Sequence, residues 1–262
     1  MSTLTGDERP GARVREAQPN DGERRGFWDD EPAYVLHSYP FRETSLVVEI
    51  FSYSLGRLGL VARGARRPKS ALRGLLMAFQ PLSLSWAGKG ELRTLHRAER
   101  LAGHAQLSGL SLMCGFYLNE LLLKLLARED PYEGLYSAYE EALAGLRAGW
   151  PAAWALRRFE KKLLRELGYG MLLERDVAGE PILPEASYTY VLERGPLRMP
   201  LREPAAAGVE LSGKTLLDIA ADDYRDALTL QQSRALMRFV LNHHLGGQVL
   251  HTRQLLRDLQ QL

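Results

Sequence analysis

The chain has 262 residues, 45% of them apolar and 25% charged, a composition suited to one large globular domain or two small ones. A single cysteine, Cys114, excludes an intramolecular disulfide and any zinc site built on several thiolates, and it suits a reducing compartment. Lys and Arg total 34 against 32 Asp and Glu, so a net charge of +2 does not by itself mark a nucleic-acid binder.

Residues 1–32 are rich in Gly, Pro, Arg and Glu without apolar periodicity and read as a disordered tail, with Phe27 and Trp28 at its end. They lack the apolar core of a secretory signal. The most apolar window, Leu110–Leu126, contains Asn119, Glu120 and Lys124 and so is no membrane span. A soluble, cytoplasmic protein is expected, with no membrane partner.

From Ala33 the pattern is strand-like. Ala33–Tyr39 favours a strand that Pro40 stops, Thr44–Tyr53 is a β-branched apolar run, and Leu58–Gly64 follows the turn at Gly56. Leu82, Leu84 and Trp86 alternate with Ser83, Ser85 and Ala87, which predicts one buried face. Gly88-Lys89-Gly90 is a hairpin turn leading to Glu91–Ala98, with a helical insert at Ser70–Phe79. Five short strands predict a small barrel of the oligonucleotide/oligosaccharide-binding (OB) type over 33–105, which an SH3-like barrel fits almost as well.

Beyond that the period becomes helical. Leu107–Arg128 carries apolar residues at 110, 113, 117, 118, 121, 122, 125 and 126, and Tyr132–Leu146 and Trp154–Leu167 continue the pattern. Residues 171–201 are irregular, with β-like pieces at Met171–Arg175 and Tyr188–Glu193. Ser212 is read as an N-cap, Gln231–Leu245 as a long helix, and Thr252 as the cap of a last helix burying Leu255, Leu256 and Leu259. The fold class is α+β, a barrel followed by a helical domain over 106–262.

Charge is segregated along this framework. Residues 57–100 hold Arg57, Arg63, Arg66, Arg67, Lys69, Arg73, Lys89, Arg93, Arg97 and Arg100 against Glu91 and Glu99, a net +8, whereas residues 1–32 are net −3 and residues 101–262 net −2. A local block of this size is a footprint for a polyanion, and the run Arg66-Arg67-Pro68-Lys69 follows a strand directly, on a loop at the barrel rim. Phe51, Tyr53 and Trp86 lie on neighbouring strands as stacking candidates, with core packing the default for Phe51 and Trp86.

Other motifs are weaker. Gly208–Thr215 satisfies the spacing G-x-x-x-x-G-K-[ST] of a phosphate-binding loop. The preceding Arg202–Ala207 is not β-forming, so Ser212–Thr215 is read as helix capping. His243 and His244, adjacent on a helix, diverge by about 100° and with His251 do not make a metal site. Asp222-Asp223 and Cys114 do not form catalytic constellations. No enzyme activity, cofactor or metal is expected; the alternatives are an ATP-using enzyme through Gly208–Thr215 and a helical adaptor whose basic barrel only tethers.

Tyr34–His37, Phe41–Ser45, Gly56-Arg57, Ala62–Ser70 and Gly88–Leu92, in this order, resemble the amino-terminal domain of the RecO family of bacterial DNA-repair proteins. Tyr117–Leu121, Tyr136-x-x-Tyr139, Leu156–Glu160, Leu167–Gly170 and Leu245–Leu250 extend the resemblance over about residues 33–257. It implies an OB domain and a helical domain in a recombination mediator of gap repair. Such proteins bind single- and double-stranded DNA, anneal complementary strands, dock on the C-terminal tail of single-strand-binding protein, and with RecR help load RecA at the nucleoid. Arg63, Arg66, Arg67, Lys69, Lys89 and Arg93 match the family's basic rim positions and, with Arg57 and Arg73 of the same block, are the expected DNA contacts. Arg157, beside Arg158, matches a position that contacts the partner's tail; a helix-surface pairing with Glu160 is the competing role. Many members carry a four-cysteine zinc site after the Leu-Gly-Tyr-Gly motif. Here Asp176 stands at its first position, which implies a zinc-less remnant over 171–201 held by packing.

Overall fold

The computed structural model describes residues 26–101, 103, 105–199 and 208–259, with side chains to residue 255. Five strands, β1 (Phe27–Phe41), β2 (Ser45–Ser52), β3 (Gly56–Ala62), β4 (Pro81–Ala87) and β5 (Leu92–Arg100), close a barrel in the order β1-β2-β3-β5-β4. Neighbours are antiparallel except β3 and β5. A one-turn helix, α1 (Leu72–Leu75), joins β3 to β4. This is the OB arrangement. Val35, Val48, Ile50, Leu58, Leu60, Leu82, Leu84 and Trp86 fill its interior.

Strand β1 starts at Phe27, so residues 27–32 extend the barrel where composition predicts a tail; residues 1–25 lie outside the described residues. Phe27 pairs with Ala87 and Trp28 with Trp86. Pro40 does not stop the strand. Its ladder partner is Leu46 of β2, and β4 has already ended at Tyr34–Pro81, which leaves the free edge that proline tolerates. Strand β4 is buried on both faces, not one. The Ser83 hydroxyl donates to Asp30 at 3.2 Å and the Ser85 hydroxyl to Asp29, so β1 covers the polar side.

The second unit holds α2 (Gly109–Leu125), α3 (Glu133–Arg147), α4 (Ala152–Glu166), α5 (Gly213–Ala220), α6 (Ala227–His244) and α7 (His251–Leu259). It also contains an antiparallel sheet in the order β7-β6-β8, formed by β6 (Ser187–Val191), β7 (Gly195–Arg198) and β8 (Val209–Ser212). Of the two β-like pieces expected here, Tyr188–Glu193 supplies most of β6, whereas Met171–Arg175 forms no strand; β7 and β8 complete a sheet that the sequence reading did not extend to them. Asp176 organises the approach to this sheet. Its carboxylate accepts from the backbone N–H of Ala178 at 2.9 Å and of Glu180 at 3.0 Å, which closes a tight turn. Among the described residues no group of three or more His, Cys, Asp or Glu is placed to hold a metal ion.

Ser212 caps α5, its hydroxyl accepting from Thr215 N–H at 3.1 Å. The cap of α7 is not Thr252. The Glu120 carboxylate, from α2, accepts from the N–H groups of His251 and Thr252, each at 2.9 Å. A carboxylate there also meets the positive end of the helix dipole. Leu255 is 52% exposed, and Leu256 and Leu259 lie outside the described side chains.

The barrel interior is one apolar cluster, and the outer face of β1 and β2 joins a second one with the helices. A bulge at Leu36 lets β1 turn Val35 into the barrel while Tyr34 and Leu36 pack with Phe51 against Leu118, Tyr136 and Tyr139. Asn119 is the polar centre of this junction. Its amide donates to Leu36 O at 2.8 Å and its carbonyl accepts from Tyr139 Oη at 2.6 Å. At the far end Gly56, with φ of 67°, lies so close to the α2–α3 connection that a Cβ there would sit 1.8 Å from Asp130 O. Gly56→Ala is expected to lower unfolding free energy by more than about 2 kcal/mol, through the left-handed backbone and the backbone clash together. A denaturant melt measures it.

Candidate nucleic-acid interface

The loop after β3 carries the exposed Arg63, Arg66, Arg67 and Lys69, and Arg73 follows, exposed on α1. Ala65, fully buried, pins the loop to the barrel core. Arg66 N–H donates to Thr44 O at 2.9 Å, and its guanidinium reaches Arg42 O and Glu43 O at 3.3 and 3.2 Å. The basic loop is thereby fastened to the β1–β2 turn. Between them runs an open groove of about 660 Å³, with Phe41, Val61 and Leu92 along its floor and Arg42, Arg63 and Arg67 at its sides; Glu43 is the carboxylate on its rim. Lys89 is exposed in the β4–β5 hairpin. That hairpin feeds Leu92, which pairs with Gly59, so Lys89 marks the opposite end of the sheet face from Arg63.

Two of the expected contacts are not on this surface. Arg93 is 7% exposed; its guanidinium pairs with Glu129 at 2.7 Å and lies 4.4 Å from the Trp28 ring centroid. Arg57 turns inward to donate to Leu123 O, and burial followed by the nearby Arg128 pulls its pKa below the usual value. Both brace the barrel against the helical domain, beside the Arg128–Glu49 ion pair. Of the stacking candidates, Phe51 and Trp86 take the core positions that were their default, fully buried, and the Tyr53 hydroxyl is held by Glu133 at 3.2 Å.

A second groove, of about 290 Å³, lies between α2, α4, α6 and α7. Leu110, Leu156 and Leu230 give it apolar walls, and Arg157, Arg234, Arg238 and Arg253 give it charge. The three arginines beyond Arg157 were missed in the sequence because they come from helices far apart along the chain. Arg157 is 8% exposed and donates to Glu160 Oε1 at 2.8 Å, an oxygen that also accepts from Tyr117 Oη at 2.6 Å. The pairing with Glu160 and a place in the groove thus coexist. Glu160 is fully buried, which raises its pKa, while Arg157 opposes that rise. The Cys114 thiol on the same wall is pushed up to about 11 by burial, which keeps it protonated. Arg158 points elsewhere. It lies over the Trp150 ring at 5.4 Å and donates to Asp222 O at 3.3 Å, in a different groove.

The segment Gly208–Thr215 forms no phosphate loop. Strand β8 occupies its middle and runs straight into α5; Lys214 pairs with Asp218, and Thr215 donates to Gln232 at 2.6 Å. Among the described residues no helix is long and apolar enough to cross a membrane. His244 stacks on Tyr169 at 3.7 Å and His243 lies 3.6 Å from Glu193.

Residues 29–104 match the family described as recombination protein O N terminal, and residues 106–253 match recombination protein O C terminal. DNA repair protein RecO of Nitrosospira multiformis is 55% identical over 233 residues, 88% of this chain and 96% of its own length. That of Aromatoleum aromaticum is 54% identical over 235 residues, 89% and 97% of the two chains. That of Burkholderia pseudomallei is 50% identical over 255 residues, 97% and 92%. The chain belongs to the RecO family of DNA repair and recombination proteins.

Proposed function

We propose that this protein is a non-enzymatic recombination mediator that binds single- and double-stranded DNA on the barrel rim and anneals complementary strands. The observation carrying this reading is the exposed Arg63, Arg67 and Lys69 beside an open groove, on a loop whose geometry Arg66 and Ala65 fix. Neutralising phosphates lowers the repulsion between two strands, so annealing follows from binding. The arginine-lined helical groove is read as the seat of the acidic, apolar C-terminal tail of single-strand-binding protein, since its wall chemistry complements such a peptide. With RecR, a mediator so placed in the cytoplasm at the nucleoid would promote RecA loading.

An annealing assay on bare strands and on strands coated with single-strand-binding protein tests both halves. Wild type is expected to anneal both. Arg234→Glu, at an exposed groove position, is expected to anneal bare strands normally and to lose annealing of coated ones. Equal activity of Arg234→Glu on coated strands would remove the groove from the reading, and failure of wild type on bare strands would remove the annealing.

A further inference from the structure

The rim explains phosphate binding but not how single strands are told from duplex, and the aromatic residues expected for that purpose are buried or tied. The face of the sheet beside the rim supplies others. Beyond the Leu36 bulge, His37, Tyr39 and Phe41 fall on one face of β1, two residues apart. Tyr39, Val47, Val61 and Thr94 are cross-strand partners through β1, β2, β3 and β5, so this is the same face that carries the groove. Tyr39 is 41% exposed, 6.0 Å from the His37 ring, and Phe41 is half-buried on the groove floor with the Arg42 guanidinium 5.2 Å over its ring. Arg63 and Arg67 line the same groove.

We propose that Tyr39 and Phe41 are stacking platforms for unpaired bases, so that this face takes single-stranded nucleic acid with bases against β1 and phosphates on Arg42, Arg63 and Arg67. The proposal rests on reading the rim as the DNA surface and adds a selectivity to it. Aromatic rings bind any base face, which suits a strand of arbitrary sequence, whereas a duplex keeps its bases stacked inside and offers these rings only its backbone. Arginine can also lie flat on a base, so Arg42 over Phe41 extends the platform. Charge complementarity argues for this occupant, because Glu43 alone among the lining residues opposes three arginines.

Fluorescence anisotropy with an oligo-dT strand and a duplex of equal length, over a salt series, tests it in the full chain. Tyr39→Ala and Phe41→Ala are each expected to weaken oligo-dT binding at least about fivefold, leave duplex affinity within about twofold, and leave the salt slope unchanged. Phe41→Trp keeps a ring and is expected to bind as wild type. Arg63→Ala with Arg67→Ala is expected to lower the single-strand slope by about 1.4, because two phosphates are no longer neutralised. Thermal melts accompany each variant; should Phe41→Ala melt early, the exposed Tyr39→Ala carries the same comparison. Oligo-dT affinity unchanged by the ring deletions, or single-strand and duplex affinity falling together, overturns the proposal. An unchanged slope in the arginine variant refutes the rim as the phosphate surface, and the proposal with it.

Discussion

Charge reversal at Arg63, Arg67 and Lys69 together is expected to abolish most DNA binding while leaving the melting temperature where it was. Each phosphate neutralised by a side chain contributes about 0.7 to the slope of log affinity against log salt for single strands, so neutralising three accounts for a slope of about 2. Between 50 and 200 mM salt that slope alone is worth more than about tenfold, and glutamate in place of the bases adds repulsion at every salt concentration. The three side chains are exposed, so their replacement leaves the core intact. Arg66 is left out of the triple because its guanidinium holds the β1–β2 turn; reversing it would move the groove as well as its charge. An anisotropy titration of the triple variant at two salt concentrations gives the answer, and wild-type affinity would refute the rim.

Arg157→Ala is expected to be the most destabilising single change at either site, at about 3–5 kcal/mol, or roughly 10 °C in melting temperature for a chain of this size. The physical reason lies in its partner. Glu160 is fully buried, and without Arg157 it loses its direct ion pair and keeps the Tyr117 hydroxyl and the weaker influence of Arg253. Burial already holds the Glu160 pKa above its unfolded value, and loss of Arg157 raises it further. The folded state then binds a proton more tightly than the unfolded one. Stability of the variant is therefore fullest at acid pH and is lost as pH rises through the raised folded pKa. Glu160→Gln added to Arg157→Ala removes the buried charge while keeping an acceptor for Tyr117, and is expected to restore most of the stability and flatten the pH dependence. Melts of both variants across pH check this. A fully stable Arg157→Ala would mean that the pair does not matter to the fold.

The barrel was legible because its determinants are local. Period-two alternation, the turn at Gly56 and the Gly88–Gly90 hairpin each act on neighbours in sequence. The amino-terminal half of β1 was hidden because Asp29 and Asp30 look like tail residues until Ser83 and Ser85, more than fifty positions away, supply their partners. Arg93 misled for the same reason: in a strand reading Leu92 and Arg93 take opposite faces, and only Trp28 and Glu129 decide that the arginine is the one covered. The basic loop was found because Arg66-Arg67-Pro68-Lys69 is contiguous. The helical groove was reduced to Arg157 because its other cations arrive from α6 and α7, and no spacing rule within one helix links them. A four-residue strand such as β8 is likewise specified by Ser187–Tyr190 across the sheet more than by its own composition.

The junction at Asn119, Gly56 and Arg57 has a mechanical meaning. Its bonds run from barrel to helices through backbone atoms: Leu36 O, Leu123 O, and Arg57 O accepting from Glu129 N–H at 2.9 Å. Bonds to main chain tie the frame of the barrel, and not only its side chains, to the frame of the helices, so rim and helical groove are carried on backbones that are bonded to one another.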